Sequence, residues 1–148
     1  MLRMGVALWL LVVATLIAGC TRGDRTSGTS MSLNPVGEWR LVAIEGEAFE
    51  LPDGAKLPEL TIRDDGSVGG TAGINRFSAS VDVDAWDENG WDIGPAAMTR
   101  MGGRPEAMAF EQRYIGLLEK AQSVYAWPET LDLMRAGSFV LRYERIGE

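Results

Sequence analysis

The sequence contains no histidine and a single cysteine, Cys20, among its 148 residues. Without histidine, the chain lacks the base of Ser-His-Asp and Cys-His nucleophilic sites and the imidazole ligand of many zinc sites. One cysteine cannot form a disulfide within the chain. These absences predict a protein that is not an enzyme and that holds no cofactor and no metal.

Basic residues are also scarce, because 14 Lys and Arg face 21 Asp and Glu and the formal net charge is −7. Nucleic acids and anionic lipid headgroups both require clustered Lys and Arg, so the charge balance predicts that neither is a partner. The length suits one domain of common size. We therefore expect a monomer with one folded domain.

The N-terminus has the organisation of a secretory signal that ends at Cys20. Arg3 supplies the positive charge, Leu8–Ile17 the apolar region, and Ala18 and Gly19 the small residues before the cut. This pattern resembles the bacterial lipobox, in which the cysteine is acylated and becomes the new N-terminus. A transmembrane anchor is the alternative, but the apolar run is shorter than the roughly 20 residues that span a bilayer. The sequence predicts a lipoprotein signal peptide over residues 1–19.

Residues 20–34 would then form the lipidated N-terminus and a flexible tether, because they are rich in Ser, Thr and Gly and have no periodicity. The lipid on Cys20 would be the link to the membrane, since two or more acyl chains give stable anchoring. Thr21 stands where aspartate favours inner-membrane retention in many Gram-negative bacteria. We therefore expect localisation in the cell envelope, on the outer membrane and facing the periplasm.

Most of the folded domain, residues 35–148, has the alternating pattern of β-strands. Strands are predicted near the start of the domain, around one tight turn, and as a series at the C-terminus. These segments are Gly37–Ile44, Leu60–Arg63 with a restart at Val68, Val124–Trp127, Thr130–Met134 and Ser138–Tyr143. Consecutive strands with short connections predict an antiparallel sheet.

The longest alternating run, Phe77–Trp86, ends just before Asn89-Gly90. Asn-Gly between strand patterns is a strong hairpin signal because both residues tolerate positive φ. The return strand would be Trp91–Pro95, which would make Trp86 and Trp91 cross-strand neighbours. This region therefore predicts a hairpin.

A change to helical periodicity occurs between Pro105 and Gln122, where apolar residues recur every three or four positions. Pro105 suits the first turn of a helix. One helix covers only part of a sheet of this size. The predicted fold class is α+β, with an antiparallel, strongly curved, open barrel-like sheet and one main amphipathic helix.

The segments Gly69–Ser78 and Met98–Gly103, followed by Pro105, Met108 and Glu111, resemble the META domain of the bacterial heat-shock protein HslJ-like lipoproteins. The resemblance extends over roughly residues 35–146. It implies a curved antiparallel sheet accompanied by a helix, and an envelope or secreted domain associated with heat shock, antibiotic tolerance or motility. It implies no agreed catalytic residues.

This chain departs from the family pattern at two positions, since Ile74 and Gly103 stand where a cysteine pair is typical. Loss of both partners together is expected if the two positions touch, because one leftover thiol would be a liability. The resemblance therefore implies contact between residues 74 and 103.

The polar members of the two matching segments form one candidate site. They are Asn75, Arg76, Thr99, Arg100 and Glu111. In one interpretation they line a ligand pocket, where an arginine holds a carboxylate or phosphate and Glu111 is its resting counter-ion. In the other they form a hydrogen-bond network that fixes the glycine-rich loops.

A second group of polar residues is acidic and surrounds the predicted hairpin turn. It contains Asp82, Asp84, Asp87, Glu88 and Asp92. Its spacing does not match an EF-hand loop, so a solvated strand face is favoured over a calcium site. Paired carboxylates also leave a carboxylate-based hydrolase as an alternative class.

Four tryptophans, Trp39, Trp86, Trp91 and Trp127, could line a groove for sugars or peptides, but aromatic residues on inward strand positions are more often core residues. Trp86 and Trp91, beside the turn, are the candidate contacts for a partner if the turn exposes them. The predicted function is a non-catalytic, lipid-anchored cell-envelope domain with a binding or stress-tolerance role. Its partner would be an envelope protein or the cell wall. A periplasmic inhibitor or chaperone of an envelope enzyme is an alternative, and it would require a large exposed apolar patch.

Overall fold

The computed structural model describes residues 34–147, which contain eight strands, one α-helix and a short 3₁₀ helix. The bounds are β1 Gly37–Ile44, β2 Glu59–Ile62, β3 Ser67–Thr71, β4 Arg76–Ser80, the 3₁₀ helix Val83–Glu88, β5 Ala97–Met98, α1 Pro105–Lys120, β6 Ser123–Ala126, β7 Thr130–Arg135 and β8 Ser138–Arg145. The predicted signal peptide, Cys20 and all of the tether except its last residue, Asn34, lie outside the described residues. Neither helix has both the length and the apolar character needed to cross a bilayer.

All eight strands belong to one sheet, in the order β5-β4-β3-β2-β1-β8-β7-β6. Every strand pairing is antiparallel. The predicted α+β class, with an antiparallel sheet and one main helix, is therefore confirmed. The two end strands, β5 and β6, are not paired with each other, and neither the strong curvature nor the barrel-like form predicted for the sheet is confirmed.

The predicted alternation of β1 continues only as far as a bulge. Trp39 and Leu41 point into the core and are fully buried. The register on β8 then shifts between Leu41 and Ala43, so that Ile44 is buried in place of Ala43. An extra residue in one strand turns the following side chains to the opposite face.

Helix α1 starts at Pro105, as the sequence predicts, and no side chain caps its first turn. Proline is favoured there because its missing N–H would have no intrahelical partner. Phe110, Tyr114 and Leu118 lie on the buried face at successive helical turns. These side chains cover the inner face of the sheet and complete the core.

The predicted strand to Trp86 and the hairpin at Asn89-Gly90 are wrong. The chain leaves the sheet after Ser80 and forms the 3₁₀ helix, which starts where the Asp82 side chain accepts a hydrogen bond from the Asp84 amide at 3.0 Å. Asn89 ends this helix in the left-handed conformation, with φ of 56°. The residues suited to a hairpin turn therefore end a helix, because both structures require positive φ.

Two buried tyrosines join the helix to the sheet. The hydroxyl of Tyr143, on β8, donates a hydrogen bond to that of Tyr114, on α1, at 3.1 Å, and both residues are fully buried. Burial raises the pKa of each phenol well above its ordinary value, and the neighbouring tyrosine raises that of Tyr143 further. The pair is therefore neutral in the folded protein at pH values where an exposed tyrosine ionises.

This pair should make the protein sensitive to alkali. An unfolded tyrosine loses its proton near pH 10, so the stability that the pair contributes is present below pH 10 and is lost as the pH rises towards the folded pKa. We expect the free energy of unfolding to fall by about 1 kcal/mol per tyrosine between pH 10 and pH 11. Urea unfolding across this range should show a shallower fall for the Tyr114→Phe/Tyr143→Phe variant, which removes both hydroxyls together. Equal slopes of the unfolding free energy against pH in the variant and the wild type would contradict the buried, neutral state of the two tyrosines.

Candidate functional site

Three members of the predicted polar cluster meet beside the start of α1. Asn75 lies between β3 and β4, Thr99 follows β5, and Glu111 lies in the second turn of α1. Asn75 and Glu111 are buried, with 5% and 7% of their surfaces exposed. The structure thus connects one end of the β4-β5 pair, where β4 starts and β5 ends, to the helix. We call Asn75, Thr99 and Glu111 the polar clasp.

The Asn75 side chain uses its full hydrogen-bonding capacity. Its Oδ1 accepts from the Thr99 hydroxyl at 2.9 Å and from the Met101 amide at 2.7 Å. Its Nδ2 donates to the Met101 carbonyl at 3.1 Å and to Glu111 Oε1 at 2.8 Å. The side-chain amide of Asn75 therefore bonds to both backbone groups of Met101, as a neighbouring strand would. No donor or acceptor of this side chain is left for a ligand.

Glu111 is held by hydrogen bonds instead of a positive charge. Its Oε2 accepts from the backbone amides of Ile74 at 3.0 Å and Asn75 at 2.6 Å, while its Oε1 accepts from the Asn75 side chain. Gly73, which precedes these amides, has φ of +126°, a conformation that a side chain rarely adopts. This glycine lets the loop present two consecutive N–H groups to one carboxylate oxygen.

Arg76 and Arg100 do not join the polar clasp through their side chains. Both are exposed, and neither forms an ion pair with any residue in the range 34–147. The predicted role of Glu111 as their counter-ion is therefore wrong, because backbone and amide donors already occupy its oxygens. The backbone of Arg76 contributes instead, since its N–H donates to the Thr99 hydroxyl at 3.1 Å.

An open groove of about 290 Å³ lies along the β4-β5 pair, next to the polar clasp. Its lining residues are Arg76, Phe77, Ser78, Ala97, Met98 and Thr99. Arg76 and Thr99 thus border a space that a small ligand could enter. The ligand-pocket interpretation of the cluster stays a prediction, now limited to this groove.

Residues 74 and 103 are in contact, as the resemblance implied. A β-carbon placed on Gly103 would lie 2.3 Å from Cδ1 of Ile74 and 3.1 Å from its Cγ1. The Ile74 side chain therefore occupies the space that a side chain at position 103 would take. Isoleucine at position 74 and glycine at position 103 therefore fit together in this space.

The two tryptophans proposed as partner contacts lie in different environments. Trp91 is only 3% exposed, and its indole N–H donates to the Leu118 carbonyl at 3.2 Å, so its prediction as a surface contact is wrong. Trp86 is half-buried in the 3₁₀ helix and packs against the core. Its indole nitrogen is buried and has no hydrogen-bond partner among the described residues.

The acidic group around the 3₁₀ helix is not gathered into a metal site. Within the described part of the chain, no group of three or more carboxylate, histidine or cysteine side chains is placed to hold a metal ion. Asp82 has a local structural role instead, as the cap described above.

A second set of exposed side chains, which the sequence pattern did not bring together as one surface, lies on the outer face of β6, β7 and β8. Val124 and Ala126 point inward on β6, so Tyr125 and the following Trp127 point outward and are half-exposed. On β8, Phe139 is 42% exposed. The alternation of β6 indicates that Tyr125 and Trp127 face outward. It was not used as evidence of a surface because aromatic residues on strands are more often core residues.

Comparison with known proteins identifies the fold. The structure is similar to an NMR structure of a protein from Burkholderia xenovorans, with 21% identity, a TM-score of 0.59, and coverage of 76% of this chain and 83% of that one. A second NMR structure has 20% identity and a TM-score of 0.54, with coverage of 74% and 88%. These identities are low, so the two likenesses show the fold alone. No curated protein matches the sequence.

The family model of the META domain matches residues 32–146. The match covers most of the sequence and includes every strand, the helix and the polar clasp. The chain belongs to the META domain family.

Proposed function

We propose that this protein is a non-catalytic, lipid-anchored domain of the cell envelope that binds a partner on the periplasmic side. One observation carries the proposal: the hydrogen-bonding groups of Asn75 and Glu111, the buried polar residues of the family motif, are occupied within the fold. Glu111 is the buried carboxylate of this motif, and three donors already hold it. A general acid or base must instead reach a proton on the substrate.

Anchoring at Cys20 is the second part of the proposal, and the signal pattern of residues 1–19 supports it. From the lipid, a tether of about 14 residues could extend roughly 45 Å. Such a length would let the domain reach partners away from the membrane surface. We place the anchor in the outer membrane because threonine follows the cysteine.

Mass spectrometry of the N-terminal peptide tests the anchor. The full chain, expressed in a Gram-negative host, should begin at Cys20 and carry the mass of a diacylglyceryl group and an additional acyl chain. The Cys20→Ser variant should keep residues 1–19, because cleavage depends on the lipidated cysteine. An unmodified cysteine in a chain that starts at Met1 would contradict the anchor.

Cross-linking in intact cells tests the binding role. A photoreactive amino acid at position 127, on the outer face of the sheet, should give discrete adducts with envelope components. The same group at position 51, on the β1-β2 connection, is the control, since Leu51 is also an accessible apolar residue, 39% exposed, and lies outside β6, β7 and β8. Identical adduct patterns from both positions would contradict a specific partner at the outer face.

A further inference from the structure

We propose that the outer face of β6, β7 and β8 binds a neutral polysaccharide chain. This inference rests on the proposed function and names the chemical class of its partner. The binding surface consists of Tyr125, Trp127, Phe139 and Arg142; together with Asp132, which is buried beneath Arg142, we call these residues the aromatic platform. None of these residues belongs to the polar clasp or to the β4-β5 groove.

The platform begins with two nearly parallel aromatic rings, one on β6 and one on the residue that follows this strand. The ring centroids of Tyr125 and Trp127 lie 6.2 Å apart, and their planes are inclined by 21°. Because the two residues are separated by one inward-pointing residue, both side chains project from the same face of the sheet. Neither is fully buried. Aromatic faces in this arrangement suit the flat C–H faces of pyranose rings.

Polar groups lie beside the rings in the same register. Asp132 on β7 is opposite both Tyr125 on β6 and Arg142 on β8. Arg142 donates from Nε and Nη2 to the two carboxylate oxygens of Asp132, at 2.6 and 2.8 Å. The guanidinium carbon also lies 4.6 Å from the ring centroid of Phe139. The Arg142 side chain is still 45% exposed, so its remaining N–H groups can donate to sugar hydroxyls.

The charge on the platform favours a neutral ligand. A bidentate ion pair neutralises the guanidinium, and the Asp132 side chain beneath it is only 4% exposed. An acidic peptide, a nucleic acid or an anionic lipid would find no unpaired cation among these five residues. A polysaccharide requires aromatic surface and hydrogen-bond groups instead of net charge.

The edge of β6 disfavours an added peptide strand. The Val124 amide donates to the Asn89 carbonyl at 2.8 Å, and the Trp91 amide donates to the Gln122 carbonyl at 3.0 Å. Residues 89–91 therefore cover the start of this edge, which includes the bridge between Gly90 and Ser123. A partner is left with the exposed side-chain face, which spans three strands, or about 10 Å.

Fluorescence titration of the purified full chain in detergent tests the inference. The probes are the hexamer of β-1,4-linked N-acetylglucosamine and cellohexaose. We expect saturable binding of at least one hexamer, weakened about tenfold or more in Trp127→Ala, Tyr125→Ala and Phe139→Ala. Leu51→Ala should bind as the wild type does. Calorimetry replaces fluorescence for the tryptophan variant, and circular dichroism verifies that each variant is folded.

Absence of saturable binding to both hexamers, or wild-type affinity in the folded Tyr125 and Phe139 variants, would overturn the inference. The cross-linking experiment separates that failure from failure of the proposed function. If position 127 captures a protein while neither sugar binds, the partner is not a polysaccharide but the binding role stands. If position 127 gives no specific adduct and neither sugar binds, both proposals fail.

Discussion

Replacing Asn75 with alanine should lower the free energy of unfolding by about 3–5 kcal/mol, which is a large part of the stability of a small domain. The variant loses four side-chain hydrogen bonds and leaves Oε1 of the buried Glu111 without a donor. A buried charged group that loses its partner costs more than the mean net value of a hydrogen bond. Urea unfolding of the full chain, monitored by circular dichroism, measures the change.

Arg76→Ala is the control for this prediction, because it alters the adjacent residue of the same motif without touching the polar clasp's side chains. An exposed side chain without an ion pair should change the stability by no more than about 0.5 kcal/mol. Equal losses in the two variants would mean that Asn75 has no special role in the fold.

Restoring a cysteine at both positions of the family's pair should stabilise the protein. In the Ile74→Cys/Gly103→Cys variant, the contact between these positions should allow a disulfide to form under oxidising conditions. A bond that closes a loop of roughly 30 residues is expected to raise the free energy of unfolding by about 2–4 kcal/mol. The Cys20→Ser background leaves these two thiols as the only ones in the chain. Urea unfolding measures the gain, and thiol titration verifies the bond.

The reduced form of the same variant is its own control, and the gain should disappear on reduction. Gly103→Cys alone should be destabilised, because its β-carbon would lie 2.3 Å from Cδ1 of Ile74 and this side chain would have to move. Thiols that stay free under oxidising conditions would show that the two positions are not aligned for a bond.

The sequence predicts those parts of the fold where local pattern and tertiary burial agree. The helix from Pro105 and the strands at both ends of the domain were correctly predicted, because an apolar period of 3.6 or 2 coincides there with the buried face. The alternating pattern wrongly predicts strands between Val81 and Ile93. An alternating run there forms a 3₁₀ helix, since the capping carboxylate of Asp82 offers the backbone a competing hydrogen bond.

Strand β5 was missed because two residues, Ala97–Met98, are too few to show a period. The polar clasp was found through family resemblance rather than periodicity, because Asn75, Thr99 and Glu111 are far apart in the sequence. Its chemistry was only partly foreseen. Ion pairing of Glu111 with an arginine was expected, whereas backbone amides hold it. Such donors are invisible in a sequence, since every residue other than proline carries one.

Asn75 and Glu111 hold the start of β4 against the helix, and we propose that the outer face of the sheet is the surface that binds. A double-mutant cycle of Asn75→Ala and Glu111→Ala, followed by urea unfolding, measures how strongly the two residues stabilise the fold together. We predict that the double variant is less destabilised than the sum of the single variants, with a coupling energy of about 2 kcal/mol. Losses that add to within about 0.5 kcal/mol, with each single loss small, would contradict the claim.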